Sequence, residues 1–338
     1  MNNEQGTSNN EVPKFMIHNS LFLVRYSLIY PVLYRSTIQL LRFHFSFFLL
    51  PVYLFALSQV SKINWTDAII IFIVLHLLVY PSSNGYNSYM DRDETSIGGL
   101  KNPLQPTRQL FYVTIIMDMI ALLISIFVGF YFAAGVLLYI LASRAYSYRG
   151  IRLKKFPIIG YLTVIIFQGA LVFFISYYGI SENKTLNIPL FPLLAAVCLI
   201  GGYYPLTQIY QHGEDKKDGV KTISMLLGKR GTFIFCGCIF VLATLLIFFT
   251  FNDQHQLRSF FIFIICMLPM IIFFTRWMMK VWKDETKADF KNSFRMNVLA
   301  SCCTAICFLT IIILKGFEQD HINRNGVTGL QTQTAGHP

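Results

Sequence analysis

The sequence predicts an all-α polytopic membrane protein, with about nine transmembrane helices around a central cavity, and three observations carry that expectation. Of 338 residues, 54% are hydrophobic and 13% are charged, with mean hydropathy +0.53, too few charges to cover a water-soluble globule of this size. Apolar stretches recur at about 39–60, 66–90, 108–126, 128–146, 158–179, 188–210, 231–251, 258–280 and 294–315, each long enough to cross about 30 Å of hydrocarbon as a helix. With the N-terminus inside, every Lys and Arg falls on the inner side except Lys62, Lys184, Arg258, Lys315 and Arg324, as positive-inside topology requires. The expected location is the cytoplasmic (inner) membrane.

The elements follow in chain order. Residues 1–18 begin polar and rich in Asn, the composition of a disordered tail. Segment 19–35 mixes Leu, Ile and Tyr with Arg25, Arg35 and Pro31, which suits an interfacial helix lying against membrane lipid better than a span. Residues 19–315 then form one membrane domain, because the connections are too short to hold another, and 316–338 turn polar as a tail. The inner connections 91–107, 144–157, 211–230 and 281–293 are long and charged, whereas the outer ones are mostly brief, so function should concentrate on the cytoplasmic face. The formal net charge of +11 is explained by orientation and anionic lipid, and no nucleic-acid partner is needed. All seven cysteines lie within the spans, with neither a disulfide framework nor a zinc pattern.

Two polar runs interrupt the apolar chain at inner helix ends: NGYNSYMDRDE (84–94) and QIYQHGEDKKDG (208–219). A carboxylate at mid-bilayer costs about 2.5 to 3.5 kcal/mol, so such groups usually face a cavity. Read as a helix, Asn84, Asn87, Asp91 and Glu94 share one face at spacings of 3, 4 and 3, while Asp93 turns away from Asp91 by about 200°. Gln208, Gln211, Asp215 and Asp218 repeat the spacing, and Glu214 reaches the stripe's edge. Two amide-then-carboxylate stripes on one membrane face make opposed jaws for a hard cation, and Mg2+ fits their all-oxygen donors. Alternatively, they are solvated helix ends paired with nearby lysines.

The basic element YSYRGIRLKK (146–155) leaves the fourth span, and its charge would set topology in any case. Arg152 and Lys154 also lie where the anionic jaws should be, and Arg suits bidentate phosphate binding. Asp91, Glu94, Asp215 and Asp218 facing two Mg2+ ions would balance a diphosphate ester held also by Arg152, Lys154 and Lys101. Tyr203 and Tyr204, just before Pro205, precede the second stripe and are the aromatic candidates for contact with a cation. Packing alone would also account for them.

These motifs resemble those of the UbiA-type intramembrane prenyltransferases. NSYMDRDE is similar to the family's first aspartate-rich motif, YSYRGIRLKKFPIIG to its basic loop, and DKKDGVKTISMLLGKRG to its second motif. The resemblance covers about residues 38–315 and implies transfer of a prenyl group from a polyprenyl diphosphate to an aromatic or other lipid-soluble acceptor, with Mg2+ held by both aspartate motifs. It makes Asn87, Asp91 and Asp215 ligands of metal or diphosphate, has Tyr146, Arg152 and Lys154 contact or close over the diphosphate, and matches Arg42 to an arginine of the family's first span. The chain departs from the pattern: Ser88 and Thr95 stand where the first motif has Asp, and Gln208 and Gln211 where the second often has Asp. Glu94 and Asp218 are the candidates to restore that charge. A transporter for an anionic metabolite and a non-catalytic lipid-binding homologue remain rival readings.

Overall fold

In the computed structural model, residues 33–334 are described, with side chains to residue 318. Residues 1–32, and with them most of the expected tail and interfacial helix, lie outside. Among the described residues nine helices are long and apolar enough to cross a membrane: α1 Arg35–Gln59, α2 Trp65–Asp91, α3 Arg108–Val128, α4 Phe130–Ser147, α5 Pro157–Ile180, α6 Leu190–Gln208, α7 Ile223–Asp253, α8 Leu257–Lys283 and α9 from Phe290. The only extended pairings among these residues are two isolated β-bridges.

Hydropathy located all nine spans, and the differences lie at their ends. α1 begins at Arg35, not near 39, and breaks at Arg42, which adopts a left-handed conformation (φ 47°) between an α-helical turn and a 3-10 segment. α7 begins at Ile223, with a break at Gly228 (φ 70°) before the long apolar run. α9 runs on as helix to Thr334, past the change in composition near 316. Between α3 and α4 a single residue, Gly129, makes the turn at φ 145°; a Cβ there would also meet the Tyr178 hydroxyl at 3.0 Å.

Each helix packs on the next, and α1 closes the bundle against α5 and α9. Phe55 of α1 sits at that closure, stacked on Phe308 of α9 (centroids 4.7 Å) and tilted against Phe173 of α5 (5.5 Å). In hydrocarbon such contacts hold helices together by close packing, since lipid offers no hydrophobic drive of its own. The opposite face of α3 presents Ile116, Met119, Leu123 and Phe127 outward, the surface expected of a helix bathed in lipid.

Polar contacts pin the bundle at two levels. At the end remote from the polar runs, Lys184 bonds Asp67, and Gln254 donates to Gln59 at 2.9 Å. Within the bundle, Arg144 of α4 pairs with Asp118 of α3, donates to the Ser82 hydroxyl of α2 at 2.9 Å, and lies 4.0 Å over the Tyr86 ring. Ser82 in turn donates to Asp118 at 2.6 Å. Three helices are thereby fixed in register by one nearly buried ion pair, and α2 carries the first polar run. Removing one partner strands the other charge, so Asp118→Ala should cost about 3 to 5 kcal/mol, read as a lower melting temperature of the purified chain. The double variant Asp118→Leu/Arg144→Leu should recover much of that loss; a double variant no more stable than Asp118→Ala would refute the pairing.

Candidate functional site

Both polar runs and the basic loop meet at one end of the bundle, where a cavity of about 270 Å3 opens between α1, α2, α4, α5, α6 and α9. α2 stays helical through Asn84 and Asn87 to Asp91, so these three share a face as their spacing predicts, and all line the cavity. Asn87 donates to the Ser147 hydroxyl at 3.0 Å.

The helix stops at Asp91 because Arg92 takes a left-handed conformation (φ 55°) as its C-cap. That reversal corrects one expectation. Glu94 is turned out to solvent and does not line the cavity, whereas Asp93, which a continued helix would point away, lines it. Lys101 is also displaced. The Gly98-Gly99 turn packs on Phe45 and His44, where a Cβ at either position would lie within 3 Å of a side-chain atom, and leaves Lys101 exposed beyond it.

The second run converges by a different route. α6 ends at Gln208, a turn follows, and a short helix His212–Lys217 carries Glu214 and Asp215. Although the helix is broken, Gln208, Gln211, Glu214, Asp215 and Asp218 all line the same cavity. Gln211 donates to the Ser96 carbonyl at 3.3 Å, tying this segment to the loop after α2.

Cations bind the two acidic segments together. Arg152, itself left-handed (φ 52°), pairs with Asp218 and stands 3.6 Å from Asp91, and Lys154 pairs with Asp91. Arg42 is 6% exposed and donates to the carbonyls of Asn84 (3.1 Å) and Gly98 (3.2 Å), so it clamps α2 to the loop that carries Asp93. The Tyr146 and Tyr204 hydroxyls bond each other below, joining α4 to α6. Arg42, Lys154, Tyr146 and Tyr204 face the cavity, whereas Arg152 acts from behind its wall.

Crowding of carboxylates in a partly buried site sets their ionisation. Burial pushes the Asp93 carboxyl up to about 6, with Asp91 adding to the shift and Lys154 opposing it. Burial pushes Asp215 up to about 7; Lys154 pulls back, and Asp93, Asp91 and Asp218 push further.

In the acidic segments, Oδ1 of Asp91 and Oδ2 of Asp215 are buried without a hydrogen bond. Both are hard oxygens, and among the described residues no three His, Cys, Asp or Glu converge closely enough to cage an ion by themselves. That donor set fits Mg2+, which keeps waters and binds through one or two carboxylates plus substrate phosphates. The seven cysteines are free thiols.

Sequence reasoning missed Asp93 and the polar side chains Asn297, Ser301 and Thr304 of α9, which also line the cavity. The α9 set carries a readable signal, spacings of four and three inside an apolar span. The reversal at Arg92 has none, since no Gly or Asn marks it.

The UbiA prenyltransferase family model matches residues 45–299. No curated protein matches the sequence. Among solved structures, a UbiA homologue from Archaeoglobus fulgidus bound to GPP and Mg2+ has a TM-score of 0.60 at 18% identity, covering 82% of this chain and 99% of that one. An apo UbiA homologue from Aeropyrum pernix K1 has a TM-score of 0.61 at 17% identity, covering 79% and 97%. A digeranylgeranylglyceryl phosphate synthase has 0.53 at 18%, covering 82% and 97%. At these identities the likeness is one of fold.

Two predictions follow from the geometry. Asp93→Asn should weaken Mg2+ binding by about tenfold, as expected when a charged donor facing the metal is lost (about 1.4 kcal/mol), whereas Glu94→Gln should leave it nearly unchanged. Calorimetric titration of the two variants checks the reversal at Arg92. Because metal must displace the protons that Asp93 and Asp215 hold below about 6 and 7, affinity should climb with pH, by roughly tenfold per unit between about 6 and 7 and more steeply below 6, and level off above about 8. A flat profile from pH 5.5 to 8 would contradict it.

Proposed function

The chain belongs to the UbiA prenyltransferase family, and from that premise we propose that it transfers a prenyl group from a polyprenyl diphosphate to an aromatic or other lipid-soluble acceptor. The reaction takes place at the cytoplasmic face of the inner membrane, the side to which the positive loops assign the site. The observation that carries this reading is the convergence of both acidic segments and the basic loop on one cavity whose remaining lining is nearly all uncharged. The Archaeoglobus fulgidus homologues solved with GPP or DMAPP and Mg2+ support the substrate class and the metal.

Mg2+ held by Asn87, Asp91, Asp93, Asp215 and Asp218 would supply charge neutralisation for the departing diphosphate. Lys154 and Arg152 add fixed positive charge beside the same oxygens, placed where negative charge develops as the allylic C–O bond breaks. Arg42 keeps Asn84 and the Asp93 loop in place for that arrangement. Below the polar mouth, Phe45, Phe48, Leu49, Val52 and Phe167 line the cavity and keep water from the allylic cation, which the acceptor's carbon or oxygen then attacks. The hydroxyl-linked Tyr146 and Tyr204 stand at the boundary, where their ring faces can stabilise a cation.

The acidic groups sit at helix ends and not midway along the spans, which favours an enzyme over a carrier with a midplane site. Asp91→Asn and Asp215→Asn should each lower Mg2+-dependent diphosphate release from geranyl diphosphate by at least about a hundredfold, with the chain still folded and membrane-inserted. Wild-type turnover in either variant would sink the proposal.

A further inference from the structure

The cavity has two unlike walls. Every charged residue that lines it comes from α1, the end of α2, the basic loop or the 209–222 segment. The wall formed by α6 and α9 carries no charge and yet is polar: Tyr203, Thr207 and Gln208 on α6 face Asn297, Ser301 and Thr304 on α9. The three α9 residues are 8%, 4% and 1% exposed, and from Asn297 to Thr304 they descend about 10 Å at 1.5 Å per residue.

Helix-to-helix adhesion does not use up these groups. Ser293, one turn nearer the mouth, does serve adhesion, donating to the Leu206 carbonyl at 2.9 Å, and Thr304 bonds back to Ala300. By contrast, the Tyr203 hydroxyl and Oε1 of Gln208 are buried without a partner, and Gln208 as a whole is 7% exposed. Buried polar atoms left open are costly unless a ligand or water meets them. Here they line a cavity large enough for a small ring, with donors and acceptors on both sides of it.

We propose that the α6/α9 wall seats the polar head of the prenyl acceptor, and that this head is an uncharged molecule bearing hydroxyl and carbonyl groups. The inference rests on the prenyl-transfer reading and narrows it. Amide and hydroxyl side chains can both give and accept hydrogen bonds, which matches a hydroxyl and a carbonyl. A carboxylate or phosphate on the acceptor would find no cation on this wall, while Arg42 spends two of its nitrogens on backbone carbonyls. The apolar residues of α1 and α5 are left for the prenyl chain, so donor and acceptor enter against different surfaces. A site built to hydrogen-bond its ligand discriminates strongly against one that cannot return those bonds.

The test uses the full chain in lipid nanodiscs and two matched probes, 4-hydroxyacetophenone and 4-hydroxybenzoate, titrated by calorimetry, with geranyl diphosphate plus Mg2+ as a separate arm. The neutral ketone should bind at least about tenfold more tightly than the carboxylate. Tyr203→Phe, which removes one oxygen and keeps the ring against Phe240, and Asn297→Leu should each weaken ketone binding by about three- to tenfold, the usual range for one lost hydrogen bond. Binding of geranyl diphosphate with Mg2+ should stay within about twofold of wild type in both. No binding of the ketone, equal or tighter binding of the carboxylate, or wild-type ketone affinity in both variants overturns the proposal while leaving prenyl transfer standing. A wild-type chain that binds the ketone but not the diphosphate overturns the prenyl-transfer reading, and the acceptor role falls with it.

Discussion

The site depends on the contacts of Arg152 and Lys154 with Asp91 and Asp218. Asp91 ends a long membrane helix and Asp218 caps a short surface helix, and no backbone hydrogen bond joins the two. Arg152 reaches both carboxylates, and Lys154 neutralises the one that lies deeper. Without that link the second acidic segment would be held to its surroundings by the Gln211 bond to Ser96, the Lys221 N–H bond to the Lys155 carbonyl and the contact of His212 with the Ser224 hydroxyl, none of which reaches a carboxylate. The same cations that would meet a diphosphate therefore hold the carboxylates in position before it arrives. Buried pairs of this kind add little net stability, so their worth lies in geometry.

Backbone strain accompanies that arrangement. Arg42, Arg92 and Arg152 all adopt positive φ, a conformation that costs a non-glycine residue about 1 to 3 kcal/mol. Each sits where a helix or loop reverses at the mouth of the cavity. Arg42 breaks α1 so that its guanidinium reaches the Asn84 and Gly98 carbonyls, Arg92 ends α2, and Arg152 turns the basic loop toward Asp91. Glycine would make these turns with less strain, but it would supply no cation at Arg42 or Arg152. The strain is thus the physical counterpart of placing charge at a turn.

Legibility in the sequence followed the same physics. The nine spans were readable because hydrocarbon tolerates little else. Asn84, Asn87 and Asp91 were readable because the helix persists to Asp91, so a 100° projection holds. The projection failed three residues later, where Arg92 reverses the chain with no Gly or Asn to announce it, exchanging Glu94 for Asp93. The second run reaches the cavity without the continuous helix its spacing suggested: Gln208 to Asp218 span a helix end, a turn and a short helix, and all of the stripe's residues still line the cavity. Lys101 was misplaced because a charge on a long loop carries no information about which way a glycine turn will throw it. Asn297, Ser301 and Thr304 carried a regular spacing, but within an apolar span they read as helix adhesion until the facing helix was known.

The charged mouth and uncharged remainder of the cavity also bear on the proposed reaction, in which a reactive cation would have to be kept from water. Breaking the allylic bond needs full charges beside the leaving group, and those charges attract water. Confining them to Arg42, the end of α2 with the loop after it, the basic loop and the 209–222 segment draws a line for hydration at the mouth. Below that line the walls offer only rings, alkyl groups and neutral hydrogen-bonding side chains. A carboxylate there would quench the cation, and a lysine would repel it. Gln208 suits this division, because at the end of α6 its amide keeps a polar contact without carrying negative charge onto the uncharged wall.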